Sequence, residues 1–197
     1  MSDDQPDPVR RLRPDEVHPN DPADPSVFTR HKEQLMSTIA PTTNEPDFSF
    51  AAPDIYPRLA YEDEWTAIEY LIAVYQLEEI REARMVNGEN MLAWLRCGTG
   101  VVMIGHANED VHRISSPRTT GGTTVHMMVT VDDVDAHYAH SVAKGADVTM
   151  TLRDAFYGER VYEATDLEGH RWHFGERFDH IRARGGEVVE PEPDPDC

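Results

Sequence analysis

Asp166-Leu167-Glu168-Gly169-His170-Arg171-Trp172-His173-Phe174 is the stretch on which the reading of this chain turns. Leu167-Glu168-Gly169 has the composition of a tight turn, and the runs on either side, 161–165 and 170–174, are rich in β-branched and aromatic residues, as strands are. Working back from there, Tyr157-Gly158-Glu159-Arg160 is another turn-rich segment and 148–152 a further strand. Upstream again, Asp133 stands where a helix N-cap accepts from the first orphan backbone N–H groups. Val134, Tyr138 and Val142 then fall on one helical face before Gly145 stops the helix, and a strand is expected over 123–131. The order is strand, helix, strand, strand, strand.

The same order is legible one module earlier. Ile55-Tyr56-Pro57-Arg58-Leu59-Ala60-Tyr61 alternates as a strand with its proline near the start, and Asp63 caps a helix whose apolar face carries Trp65, Ile68, Ile72 and Tyr75, widened by Ala67, Leu71 and Val74. Arg84-Met85-Val86 precedes Asn87-Gly88, read as a type I′ hairpin turn. A strand over 91–97, a Gly98-Thr99-Gly100 turn and the run Val101-Val102-Met103-Ile104 complete the unit. Tyr61-Glu62-Asp63 and Val131-Asp132-Asp133 occupy the same strand-to-helix corner about 70 residues apart. Two similar halves of α+β class, about 55–107 and 123–177, are therefore expected to make one pseudo-twofold domain over 51–180.

The flanks differ in composition. Residues 1–50 are dense in Pro, Asp, Asn, Ser and Thr and read as a disordered extension, with Arg10, Arg11 and Arg13 a solvated charge run or an interaction arm; 181–197 reads as an acidic, proline-rich tail. Thirty-seven acids against eighteen Lys and Arg give a formal charge of −19, which provides no electrostatic footprint for nucleic acid or an anionic membrane. The two cysteines, Cys97 and Cys197, build neither a disulfide framework nor a zinc spacing and are read as free thiols. No run approaches the ~20 apolar residues of a spanning helix, and no charged-then-apolar leader opens the chain, so a cytoplasmic location is expected.

Taken together, the four signals of the second half resemble the vicinal oxygen chelate superfamily of glyoxalases, bleomycin-resistance proteins and extradiol dioxygenases. The resemblance is carried by Val131-Asp132-Asp133-Val134-Asp135-Ala136, Lys144-Gly145-Ala146, Tyr157-Gly158-Glu159-Arg160 and the stretch 166–174, with Val101-Val102-Met103-Ile104-Gly105 in the first half. It implies paired βαβββ modules, an eight-stranded cupped mixed sheet with helices outside, and a ligand cavity inside. In catalytic members it also implies a divalent metal on four inward side chains, typically His or Glu, from the first and last strands of each module. On this chain those positions fall at Tyr56, Gly105, His126 and His173, so the quartet is incomplete in the first module, with His106 one residue beyond as a substitute donor if a bulge shifts the strand. Members of the family also pair as homodimers with their cavities at or near the interface.

The candidate site residues follow. His126 and His173 are expected on one strand face with Met128 and Arg171, as a partial metal site, an acid–base pair or hydrogen-bonded cavity histidines. Tyr56 and Arg58 are placed to orient a polar ligand, Arg160 and Glu159 at the cavity mouth, and Trp94 in the cup or the core. Asp133, His137 and His140 have a helical spacing that suits a surface metal but read as lying beside the buried face; Cys97 reads as buried and inert. Three functions stay open: a small-molecule-binding protein of the bleomycin-resistance kind, without a stoichiometric metal; a lyase, isomerase or dioxygenase dependent on Zn, Fe, Mn or Ni; and a metal-free acid–base enzyme.

Overall fold

The structure, a computed structural model, describes residues 53–88 and 90–189. The extension over 1–50 and residues 190–197 of the acidic tail lie outside the described residues. The first module comprises β1 (Arg58–Tyr61), α1 (Glu64–Tyr75), β2 (Glu78–Glu79), a 3-10 turn (Arg81–Ala83), β3 (Met85–Asn87), β4 (Asn90–Cys97) and β5 (Gly100–His106). Two short helices, α2 (Glu109–His112) and α3 (Pro117–Thr120), lead to the second: β6 (His126–Thr130), α4 (Val134–Ala143), β7 (Asp147–Ala155), β8 (Glu159–Thr165), β9 (Arg171–Arg177) and α5 (Phe178–Ala183). α5 thus runs three residues past the boundary expected at 180. Among the described residues no helix is long and apolar enough to cross a membrane.

The strands form two sheets, β1-β5-β4-β2 with β3 also on β4, and β6-β9-β8-β7. First and last strands of each module pair in parallel and the others antiparallel. Among the described residues the expected eight strands become nine, because the first-module counterpart of β7 is cut in two by the 3-10 turn, whose Ile80 and Ala83 pack against Trp94. Asn87 pairs with Asn90, so it belongs to β3, and the hairpin loop opens at Gly88, φ +63°. Registers show how close the duplication is. Ala60 sits opposite Gly105 as Thr130 sits opposite Gly175, an offset of 70 residues on both strands.

Each sheet buries one face beneath helices. Asp63 and Asp133 cap α1 and α4 by accepting from Thr66 N and Ala136 N, as their positions require. Trp65, Ile68, Leu71 and Val74 of α1 are buried with Leu59, Leu95 and Ile104 of the first sheet, while Tyr75 turns its ring onto Trp172 and Phe174 of the second. Fully burying side chains of this size contributes about 1.5–3 kcal/mol each.

α4 presents a different face from the expected one. Val134, His137 and Ser141 are buried, whereas Val142 is exposed. The reason is the end of α1, whose last carbonyls have no partner within their own helix. His137 Nε2 donates to Tyr75 O (3.1 Å), Ser141 Oγ to Val74 O (2.9 Å) and His140 Nε2 to Ala73 O (2.9 Å). Polar side chains are selected here because an apolar face would leave those carbonyls unpaired. The bond to Tyr75 O fixes a proton on His137 Nε2, so Nδ1 accepts from Tyr162 OH (2.7 Å), and burial holds the imidazole below its ordinary pKa.

Candidate functional site

The sheet faces turned away from the helices carry the chemistry. On β9, Trp172 and Phe174 point to the helices, so strand alternation turns Arg171 and His173 the other way. His126 lies opposite Arg171 and Met128 opposite His173, which places all four on the open face. The His126 and His173 rings stand nearly perpendicular, 86°, with centroids 5.7 Å apart.

Sequence reasoning missed the third member of this group. Glu163 on β8 sits directly opposite His173, its Oε1 3.4 Å from His173 Nδ1 and 3.9 Å from His126 Nε2, while Oε2 accepts from Arg171 Nη2 at 2.6 Å. The signal available was the period of two between Val161 and Glu163, read against a hairpin register that the sequence does not print. Burial would raise the Glu163 pKa, but the hydrogen bonds from Arg171 and His173 hold it below the ordinary carboxylate value. Burial lowers His126 against the opposing pull of Glu163. His173 is 5% exposed, and its Nε2 is buried without a hydrogen-bond partner.

The first module does not mirror this arrangement. By register Arg58 is opposite Met103, as Met128 is opposite His173, so Met103 and not Gly105 is the counterpart of His173. Gly105 corresponds to Gly175. Both make room for a branched neighbour: a Cβ on Gly105 would meet Leu92 Cδ2 at 2.4 Å and the Arg58 guanidinium at 3.2 Å, and one on Gly175 would meet Val161 Cγ1 at 3.2 Å. His106 is no substitute donor. It faces the helix, its Nδ1 3.0 Å from Oε2 of the buried Glu64, whose Oε1 accepts from Met91 N. Tyr56 precedes β1 and is exposed, outside the ladder that would aim it.

A four-ligand metal therefore does not fit these residues, since the first-module half offers a thioether, a glycine and the Arg58 guanidinium. Arg58 Nη2 donates to His106 O (3.1 Å), and its Nε is buried without a partner. Trp94, opposite Met103, is buried under the 3-10 turn and serves as core. Arg160 is not at a cavity mouth. It points to the helix side, where Asp154 (2.6 Å), Asp135 (3.1 Å) and Glu187 O (2.8 Å) hold it in an ion-pair cluster. Glu159 Oε2 lies near Gly175 on the open face.

A groove of about 460 Å³ runs along the unpaired edge of β6, lined by Met127, Met128, Val101, Val102, Ile55 and Trp172 among others. Met128, 63% exposed, belongs both to this groove and to the open face of the second sheet. Cys97 lines the groove too, and burial pushes its thiol pKa up, which keeps it protonated. Arg58 lines a second groove, about 620 Å³, along the edge of β1.

Residues 66–174 match the Glyoxalase/Bleomycin resistance protein/Dioxygenase superfamily. The chain belongs to that superfamily. An uncharacterized protein of Mycobacterium tuberculosis is 30% identical over 129 residues, 63% of this chain and 74% of that protein. TioX from Micromonospora sp. ML1 is 32% identical, with 63% of this chain and 95% of that one covered at a TM-score of 0.51. TnmS3, described as an antibiotic binding protein from Streptomyces sp. CB03234, shares the fold at 12% identity and a TM-score of 0.50, over 64% of this chain and 98% of its own.

Proposed function

We infer that the protein binds a small molecule, in the manner of the bleomycin-resistance branch of its superfamily, without a four-ligand metal site. The observation that carries this reading is the groove beside β6. Its wall of thioethers and branched aliphatics suits a flat, largely apolar molecule, because such side chains adapt to irregular shapes and offer no buried polar group that needs a partner. Its volume falls within the ~300–1,000 Å³ typical of ligand sites. His126 and Arg171, on the same face as Met128, supply polar groups that orient the ligand. The fold shared with a protein described as antibiotic binding supports the same reading. The cytoplasm as the place of action and a homodimer with the open face at its interface are parts of this proposal.

The test is a fluorescence titration of the tryptophans with a panel of antibiotics, bleomycin among them. Saturable binding is expected for at least one, weakened about tenfold or more by Met128→Glu, which puts a charge on the apolar wall. A panel without saturable binding, or a ligand indifferent to that substitution, overturns the reading.

A further inference from the structure

We propose that the groove along the edge of β1 is a second, separate binding site, for a small organic molecule bearing an oxyanion that the guanidiniums of Arg58 and Arg113 bind. The chain carries 37 acids against 18 Lys and Arg, yet among the described residues that line this groove two are arginines and none is acidic. A local excess of positive charge in so acidic a protein marks a place where an anion is favoured. The site shares no lining residue with the groove beside β6.

Three arginines are half-buried among the described residues, and two of them meet carboxylates: Arg84 bonds Glu79 (2.6 Å) and Arg160 bonds Asp154 (2.6 Å). Arg58 has only a neutral partner, the carbonyl of His106, which accepts from Nη2 at 3.1 Å. Its Nε is buried without any acceptor. A charged group half-removed from water and left this way is costly. Its positive charge is spread over the whole guanidinium, so an oxyanion at the edge that faces the groove compensates it. The group is also held in place. It lies over Gly105, where a Cβ would stand 3.2 Å from both Nε and Nη2, and the bond to His106 O secures that edge.

Arg113 is placed by the loop that leads out of the first module. Asn108 caps α2, accepting from Val111 N, and pairs through its backbone with Ile114, so Arg113 sits at the end of a closed loop with φ +55°. The hydroxyls nearby are already used: Ser115 Oγ donates to Glu109, Thr120 Oγ1 to Gly122 O and Thr123 Oγ1 to Val125 O. Recognition of the anion therefore falls to the two arginines, whose planar forks suit the oxygens of a carboxylate or a phosphate ester equally. Ile114, Pro117 and Val125 line the same groove, and its volume of about 620 Å³ is that of a site for an organic ligand, so the molecule has an apolar body as well as a charged end.

Isothermal titration of the full-length protein in phosphate-free buffer tests this with three probes, phenyl phosphate, phenylacetate and benzyl alcohol. Saturable binding is expected for at least one of the two anions and not for the alcohol; the tighter anion tells phosphate esters from carboxylates as the source. Affinity should fall at least tenfold in Arg58→Gln and in Arg113→Asn, asparagine being tolerated at positive φ. Added salt should weaken binding to the wild type. Arg153→Ala, at an exposed arginine outside the groove, should bind like the wild type. Three results overturn the proposal: neither anion binds, the alcohol binds as well as the anions, or Arg113→Asn binds no more weakly than Arg153→Ala. Should Arg58→Gln not fold, Arg113→Asn decides, since that side chain is exposed. The antibiotic titration reads the groove beside β6, so failure of either leaves the other standing.

Discussion

The two hairpin turns that join the last two strands of each module occupy equivalent places and do opposite things. In the second module residues 166–170 lie between the paired Thr165 and Arg171; in the first, residues 97–100 lie between the paired Arg96 and Val101, one residue fewer. The longer turn grips the first module. Asp166 accepts from Tyr61 OH (2.6 Å) and Trp172 Nε1 (3.0 Å), and His170 Nε2 donates to Ala60 O (2.9 Å). Glu168 accepts from Glu62 N (2.8 Å), Asp63 N (3.0 Å) and the Ser116 hydroxyl. The shorter turn, Cys97-Gly98-Thr99-Gly100, has no carboxylate with which to grip the corresponding corner, and the groove beside β6 opens there. Of two equivalent seams in the duplicated fold, one is sealed and the other left open.

That contrast predicts unequal costs. Glu168→Ala strands two backbone N–H groups and a buried hydroxyl, and should lower unfolding free energy by about 3 kcal/mol, against less than about 0.5 kcal/mol for Thr99→Ala in the other turn. Urea denaturation of both variants measures the difference, and equal costs would break the comparison.

His137→Ala, which uncaps α1 at the helix seam, should cost about 2 kcal/mol. It should also remove a pH dependence. Because the folded-state pKa of His137 is depressed, the unfolded chain binds the proton more readily; the stabilisation is present above about pH 6.5 and lost as the pH falls below it. Urea midpoints at several pH values, wild type against variant, report this directly; a variant with the same acid sensitivity would refute it. A smaller loss than that of His137→Ala is expected for Tyr61→Phe, about 1 kcal/mol, since Asp166 keeps its bonds from Trp172 Nε1 and from the backbone of Glu168 and His170. Thermal melts resolve a change of that size.

The open faces carry the same lesson. At one node of the ladder the first module places Trp94 opposite Met103 and the second places Glu163 opposite His173. One becomes core beneath the 3-10 turn, and the other remains a polar cluster of two imidazoles, a carboxylate and a guanidinium.

Much of this was written in the chain itself. The periods of two and 3.6, the caps Asp63 and Asp133 and the glycine turns depend on neighbours a few residues apart, so they determined the order of elements, the duplication and its offset of about 70. Strand alternation alone put His126 with Met128 and Arg171 with His173, and the register of β6 on β9 brought the two pairs to one face. What pairs with what was decided by the tertiary structure. Register made Met103 rather than Gly105 the counterpart of His173, turned His106 onto Glu64 and brought Glu163 to the histidines, because a strand's partner and its stagger are set by distant residues. The buried face of α4 likewise followed from carbonyls on α1 that needed donors, a demand that no local pattern records. Arg160, a turn residue by sequence, became a structural ion pair because Asp135 and Asp154 meet it only once the module is folded.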